Sequence, residues 1–242
     1  MYLHTHNIYT KERREGGREM AFRKYWPTAS PLLLYLILAL PPLAAFADPE
    51  PLQDFCVADL NKPGQSGNGF PCKLVSNVTV DDFVSKRLSH RGNTSNPLGS
   101  KVTAGNVLSF PGLNTLGISM NRVDLDIGGL NPPHSHPRAS EMVLVVKGQI
   151  LVAFVSTSNV LYSKVLGPGE LFVIPRGLVH FQQNVGKGKA SAVTAFNSQL
   201  PGVVLASTSL FGAQPSIPDQ VLAKAFRIDR GFVKEIRSKF GS

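Results

Sequence analysis

The segment GPGELFVIPRGLVH, residues 167–180, decides the fold class. A Gly-Pro-Gly turn is followed by the apolar stretch 171–174, and a Pro-x-Gly turn then leads into a second apolar stretch at Val179. Turn residues that bracket short runs of Val, Ile, Leu and Phe are typical of β-strands. We therefore predict a β-hairpin that carries His180 back across a β structure.

Similar short apolar stretches follow one another along the chain from about residue 100. They are rich in Val, Ile, Leu and Phe and are separated by Gly, Pro, Asn or Lys-Gly. Several short strands at this spacing predict an all-β sandwich or barrel. The stretches are 107–110, 116–125, 142–146, 150–155, 161–166, 171–174, 179–181, 192–196 and 203–205.

The last part of the chain has helical rather than strand periodicity. Its apolar residues recur three or four positions apart, which predicts two short amphipathic helices. They can pack either on their own barrel or against another subunit, and the pattern favours neither. The residues concerned are Pro218, Val221, Leu222, Ala225 and Phe226, followed by Phe232, Val233, Ile236 and Phe240.

The N-terminal residues 1–47 have the pattern of a secretory signal peptide. Arg23 and Lys24 precede the apolar run 32–40, and Ala45-Phe46-Ala47 forms a small-residue cleavage site. The run is far shorter than the roughly 20 residues that span a bilayer, which argues against a membrane anchor. Met20 would by itself begin a signal peptide of ordinary length, so it is an alternative start. We predict a secreted protein.

Composition predicts one domain and excludes a nucleic-acid binder. The chain has 242 residues and is 43% hydrophobic, enough for one good-sized core. Residues 1–47 hold six of the 25 Lys and Arg and three of the 16 Asp and Glu, so the remainder carries a net charge of +6. These charges are scattered and do not form a basic stripe interleaved with aromatics. A solvated basic surface is favoured, and attraction to acidic wall polysaccharide or small anions is the alternative.

The segment after the signal peptide holds both cysteines, Cys56 and Cys72, in a stretch rich in Gly, Asn and Pro. A disulfide is favoured over a metal pair because no nearby His or Cys would complete a site. Closing this loop would restrict the unfolded chain by about 3 kcal/mol in the entropy model. Two glycosylation sequons, at Asn77 and Asn93, lie in the same region.

Three histidines and one glutamate form the candidate metal site. His134 and His136 are two residues apart, so on an extended segment both imidazoles project from the same face. Glu141 begins the apolar run 142–146, where a carboxylate requires a compensating charge. The predicted hairpin brings His180 towards the same point. A divalent cation would compensate the carboxylate and explain all four residues.

These residues resemble the two sequence boxes of the germin and germin-like proteins, which belong to the cupin superfamily. The resemblance extends to 51–60, 117–124, 196–199 and 221–226, and so covers essentially the whole chain after residue 47. Every fixed position of both boxes is filled. The first box is matched by Gly128, His134, His136, Glu141 and Gly148, and the second by Gly169, Pro175, Gly177, His180 and Asn184.

The resemblance implies a single cupin β-jellyroll barrel with a Cys56–Cys72 disulfide and a manganese ion held by the three histidines and the glutamate. It also implies an extracellular location in the plant cell wall and hexamers built as trimers of dimers. Donor chemistry alone leaves Fe(II), Zn(II) and Ni(II) open, and intrinsic affinity ranks manganese last among these ions. We predict four segments. They are the signal peptide 1–47, a disulfide-bonded and glycosylated segment 48–100, the cupin barrel 101–215 and the C-terminal helices 216–242.

Two family activities use the open metal site: superoxide dismutase and oxalate oxidase. The family's two oxalate-contacting asparagines correspond to Asn121 and Asn131 here. The chain differs from germins at 125–127 and 142–144, where it has Leu-Asp-Ile and Met-Val-Leu. We expect these bulkier residues to narrow the pocket, so we rank dismutase above oxalate oxidase. The third hypothesis is a non-catalytic wall, storage or auxin-binding protein.

Overall fold

The computed structural model describes residues 53–62, 64 and 68–240. The predicted signal peptide and the alternative start at Met20 lie outside these residues. Among the described residues, no helix is long and apolar enough to cross a membrane.

Two five-stranded antiparallel sheets face each other and form the barrel. The first sheet has the order β1-β2-β9-β4-β7 and the second β10-β3-β8-β5-β6. This confirms the all-β cupin architecture. The strands are β1 (Ser100–Gly105), β2 (Ser119–Leu125), β3 (Leu130–Ser135), β4 (Glu141–Lys147), β5 (Ile150–Val155), β6 (Leu161–Leu166), β7 (Leu171–Ile174), β8 (His180–Asn184), β9 (Ala190–Phe196) and β10 (Val204–Leu205).

The core between the sheets is built by residues that alternate along each strand. In β4, Glu141, Val143 and Val145 are buried, whereas Met142 and Leu144 point outwards. A strand with period-two burial presents one face to the core and the other to solvent. The buried cluster consists of Val123, Leu125, Val143, Val145, Ile150, Val152, Leu166, Ile174, Ala190 and Ala192.

The structure corrects the strand predictions in three respects. Residues 107–110 form no strand but a turn that leads into the 3₁₀ helix Pro111–Leu113. Strands β1 and β3 were not predicted, because β1 is largely polar and β3 contains two prolines. The segment 171–184 is not a hairpin within one sheet, because β7 pairs with β4 and β8 pairs with β3 and β5. The turn after β7 crosses from one sheet to the other.

The C-terminal part contains the two predicted helices, α2 (Asp219–Phe226) and α3 (Arg230–Ser238), and one that was not predicted, α1 (Ala206–Phe211). One residue from each helix, Phe211, Leu222 and Val233, meets in a small apolar cluster separate from the barrel core. The Asp219 carboxylate of α2 lies 2.6 Å from the Arg237 guanidinium of α3. Helices α2 and α3 therefore pack on one another, whereas α1 also lies against β3 and β10.

The Cys56–Cys72 disulfide closes a loop within the N-terminal segment, and the buried Asn114 fastens this loop to the rest of the protein. The amide of Asn114 accepts from the backbone N–H of Phe70 at 3.0 Å and donates to its carbonyl at 2.9 Å, as a neighbouring strand would. Ala58 bridges to Cys72 and donates its N–H to the carbonyl of Pro111. The predicted disulfide is confirmed.

Candidate metal centre

Both sheets contribute to the candidate metal centre. His134 on β3 and His180 on β8 are register partners in the second sheet, and His136 follows directly after β3. Glu141 begins β4 in the first sheet and reaches across the barrel. All four side chains are buried, and one ligand atom from each lies within 4.8 Å of the others. The fold thus brings together the four residues that the sequence predicted.

Backbone carbonyls orient the three imidazoles. Nδ1 of His134 lies 2.7 Å from the carbonyl oxygen of Pro132, and Nδ1 of His180 lies 2.8 Å from that of Leu178. Nδ1 of His136 contacts the carbonyl of Gly202. Because a carbonyl only accepts, each Nδ1 carries the proton, and in the neutral ring Nε2 presents a lone pair. This is the tautomer that a metal ion requires.

The loop that supplies the carbonyl of Gly202 is itself fixed. Nε of Arg138 donates to the carbonyl of Leu200 at 2.7 Å, and the guanidinium of Arg138 lies over Gly202. Gly202 has a φ of 70°, and a Cβ built on it would lie 2.9 Å from Arg138. Glycine meets both the backbone and the space requirement, so this position supports the orientation of His136.

The charges of the cluster fit a divalent cation. Oε2 of Glu141 lies 2.9 Å from Nε2 of His180 and 3.2 Å from Nε2 of His136. Within the described part of the chain, neither Glu141 Oε2 nor His180 Nε2 has a hydrogen-bond partner of acceptable geometry. A carboxylate oxygen and a nitrogen lone pair at this distance stabilise each other only through a bound cation, either a proton or a metal ion.

The pKa values of the cluster favour the metal-binding protonation state. Burial and the neighbouring His180 lower the pKa of His134 from 6.5 to about 4. Burial alone would raise the pKa of Glu141, but the closeness of its carboxylate to the His136 and His180 imidazoles outweighs burial and lowers the pKa to about 2. At neutral pH, His134 is therefore neutral and Glu141 is ionised, as coordination of a divalent cation requires.

Gln182 connects the ligands to the neighbouring cavity. It lies two residues after His180 on β8, is 1% exposed, and was not singled out from the sequence. Its Nε2 is 3.4 Å from Oε1 of Glu141, and its Oε1 accepts from the Asn131 amide at 2.6 Å. Strand periodicity places every second residue on the same face, so the position of His180 was the available signal for Gln182.

A cavity of about 430 Å³ opens from the metal cluster towards solvent. The predicted residues Asn121 and Asn131 both line it, beside His134, His136 and Glu141. Among the described residues that form its wall there is no Lys or Arg. The rest of the wall is mostly apolar and comprises Leu98, Val102, Ala104, Val123, Pro132, Phe196, Leu200, Pro201, Val203 and Leu205, with Ser100, Asn106, Thr194 and Gly202.

The expectation of a narrowed pocket is wrong. Leu125 and Val143 belong to the barrel core, whereas Ile127, Met142 and Leu144 point to the outside, so none of them lines the cavity. The alternation of β4 explains this result, because Met142 and Leu144 face away from Glu141.

Asn131 lies within β3, which has a bulge between Asn131 and His134. Arg138 and Arg176 lie near the ligands in the chain but line no part of the cavity. Each donates to a backbone carbonyl, Arg138 to that of Leu200 and Arg176 to that of Pro137.

Both glycosylation sequons are accessible. Asn77 ends the 3₁₀ helix Val75–Asn77 and is exposed, and Asn93 is exposed in the loop before β1. The Asn93 side-chain oxygen accepts from the N–H of Ser95 at 2.9 Å. Their occupancy stays a prediction.

Comparison with known proteins agrees with the fold. Residues 86–234 match the family model for the cupin domain. The chain is 55% identical to germin-like protein 3-7 of Oryza sativa subsp. japonica over 88% of this chain and 94% of that protein. It is 52% identical to oxalate oxidase 2 of Hordeum vulgare, over 86% and 95% of the two chains. A solved structure of recombinant oxalate oxidase in complex with glycolate has a TM-score of 0.77 and 54% identity, covering 80% of this chain and 98% of the other.

Proposed function

The chain belongs to the germin-like proteins of the cupin superfamily, and on this premise we propose that it is a secreted manganese protein with superoxide dismutase activity. In this reaction two superoxide ions and two protons give hydrogen peroxide and dioxygen. The observation that carries the proposal is the convergence of three oriented imidazoles and one carboxylate at the inner end of an open cavity.

The residues of the chain have separate roles in this proposal. His134, His136, Glu141 and His180 would hold the ion, which when bound supplies one-electron redox chemistry at a position open to the cavity. The carbonyls of Pro132, Gly202 and Leu178 keep the imidazoles in the required tautomer.

Superoxide suits the cavity because it is a small monoanion. Dismutation of superoxide requires only a redox-active ion that the substrate can reach. Oxalate carries a second carboxylate, and the wall supplies no Lys or Arg among the described residues to compensate that charge. The absence of Lys and Arg from the described residues of the wall thus supports a monoanionic substrate over a dianionic one.

Oxalate oxidase is the second candidate, favoured by one specific observation. Asn121 and Asn131 both line the cavity beside the ligands, and Asn121 has a buried side-chain oxygen that makes no hydrogen bond to the described residues. Amides at these positions can orient a carboxylate. The relatives named as oxalate oxidases are more than half identical to this chain, which supports testing the activity directly.

The test compares both activities on one preparation of known metal content. We expect the parent to lose dismutase activity on chelation and to regain it with manganese. The activity of Asn131→Ala, and of the exposed control Asn61→Ala, should stay within a few-fold of the parent. Oxalate turnover should be undetectable in the parent. If the parent oxidises oxalate, and Asn131→Ala lowers kcat/KM by one to two orders of magnitude, the second candidate is correct.

Two outcomes would contradict the enzyme proposals. A manganese-loaded parent without either activity would favour the non-catalytic wall, storage or ligand-binding protein. A parent that contains zinc and gains no activity from manganese would contradict the choice of ion, because zinc has no redox chemistry.

Secretion is part of the same proposal and rests on two features. A disulfide persists in an oxidising compartment, and the confirmed Cys56–Cys72 bond agrees with the predicted signal peptide. Sequencing the N-terminus of the secreted protein should place the mature start at or near Asp48. We propose the plant cell wall as the location, where the net charge of +6 would attract acidic polysaccharide.

We also propose that the chain assembles as a homo-oligomer, with the hexamer of the family as the expected state. The outer face of the first sheet carries neighbouring exposed apolar side chains, because Met142 pairs with Val173 and Leu144 with Leu171. Met120 extends this outer apolar face through Ala195 of β9. A contiguous exposed apolar patch of this kind is typical of a protein interface.

A further inference from the structure

The cavity beside the metal cluster is larger than its proposed substrate requires. Its volume of about 430 Å³ lies within the range of roughly 300–1,000 Å³ that is typical of pockets for organic ligands. A superoxide ion would occupy only its inner end. The residues that line the remaining space indicate which other ligand it can hold.

The lining of the cavity has two parts that differ in chemistry. The part at the metal cluster is lined by His134, His136 and Glu141 with Asn121 and Asn131, which suit an anionic oxygen. The rest of the lining is largely aliphatic and comes from β1 and the loop before it, from β10, and from the segment between β9 and β10. We call this part the aliphatic wall, and define it by Leu98, Val102, Leu200, Val203 and Leu205.

The aliphatic wall is only partly covered by the described chain. Leu98 is 45% exposed and Val203 is 59% exposed, although both line the cavity. Covering apolar surface of this kind is favourable by about 0.8 kcal/mol for each buried methylene of a ligand. Among the described residues, no cation lies along the wall to hold a second charged group of a ligand.

We infer that the cavity binds monocarboxylates with an aliphatic body, with the carboxylate at the metal cluster and the chain along the aliphatic wall. This inference rests on the proposed function, because the carboxylate needs the bound ion to offset the ionised Glu141. Such acids would compete with the substrate at the inner end. The affinity should depend on chain length, which distinguishes this binding from simple anion exchange at the ion.

The test is an isothermal calorimetric titration of the manganese-loaded protein with straight-chain carboxylates from acetate to octanoate. We expect Kd to fall about three- to fourfold with each added methylene until the wall is covered, and then to become constant. Alkylamines of equal length should not bind. In Val203→Ser the gain per methylene should shrink, whereas Leu161→Ser, an exposed aliphatic position on β6 outside the cavity, should keep it.

The outcomes separate this inference from the proposed function. Elemental analysis of the same samples shows whether the ion is present, and absence of metal from the parent would contradict the proposed function itself. A metal-loaded parent whose Kd does not vary with chain length would overturn the inference alone. Retention of the chain-length effect in metal-empty His180→Ala would also overturn it, because the carboxylate would then bind elsewhere.

Discussion

The imidazoles of the metal centre are oriented by carbonyl groups that no substitution of a side chain removes. Pro132, Leu178 and Gly202 supply these carbonyls, the first two from positions two residues before the histidines they contact. Fixing Nδ1–H in this way leaves Nε2 as the metal ligand and limits ring rotation. At the scale of the residue, the site is therefore organised before an ion binds.

Loss of one imidazole should empty the site. We expect His180→Ala to reduce bound metal to a small fraction of one equivalent per chain, because the Glu141 carboxylate and two histidines cannot complete the coordination. Elemental analysis after dialysis measures it. His90→Ala is the matched control, since His90 is exposed and lies outside the cluster, and it should retain full metal. Full occupancy in His180→Ala would show that the ligand set is wrong.

Gln182 should act as a positioning residue for Glu141. In Gln182→Leu the carboxylate loses the amide 3.4 Å from Oε1, and Asn131 loses its acceptor. We expect metal to be retained, the electron paramagnetic resonance spectrum of bound Mn(II) to change, and kcat to fall about tenfold or more. Gln182→Glu should restore the acceptor for Asn131 but not the donor for Glu141. An unchanged spectrum with full activity in Gln182→Leu would contradict the role.

At the scale of the element, the N-terminal segment depends on few contacts for its attachment. Cys56, Val57 and Ala58 are buried, while most of the segment that follows Cys72 is exposed. In the described part of the segment up to Lys73, backbone hydrogen bonds run to the turn at Pro111 and within the disulfide loop itself. The disulfide and Asn114 thus replace the core that so short a segment cannot build.

Removing the disulfide should destabilise the protein while leaving the metal site in place. We expect Cys56→Ala/Cys72→Ala to lose about 2–4 kcal/mol of unfolding free energy, because the unfolded loop regains its freedom. Denaturant unfolding measures the loss, and metal content should stay at the parental value since both cysteines lie away from the ligands. Equal stability with and without a reductant in the parent would contradict this expectation.

At the scale of the whole molecule, the outer face of the first sheet carries a group of exposed apolar side chains. Leu171 is 57% exposed and Val173 is 64% exposed, on the edge strand β7. A second cavity of about 430 Å³, lined in part by Ile118 and Met120, borders the same face. Both features would be covered if two copies packed face to face.

Charge placed on this face should break the assembly. We expect Leu171→Lys/Val173→Lys to shift the mass measured by light scattering from the hexamer to a smaller species, because buried lysines oppose each other without partners. Leu161→Lys, exposed at 54% on the other sheet, is the control and should leave the mass unchanged. A monomeric parent, or a double variant that stays hexameric, would contradict the proposed interface.

The sequence by itself determined the strand-rich barrel, the disulfide pair and the four residues of the metal centre. Period-two alternation and turn residues are local signals, and the His-x-His spacing places two imidazoles on one face of an extended segment. β3 was not predicted because its two prolines suggest a turn. The strand tolerates them because its pairing with β10 involves only His134 and Ser135, which follow the prolines. β1 has no continuous apolar pattern, because most of its residues are polar or only partly buried.

Only the tertiary structure decided what surrounds the metal centre. The turn after β7 crosses between sheets, so His180 pairs with His134 while Glu141 approaches from the opposite sheet. Gly202 and the aliphatic wall are brought to the cavity by contacts between segments far apart in the chain. Such contacts leave no local periodicity in the sequence, because strand pairing and loop closure depend on the packing of the whole barrel.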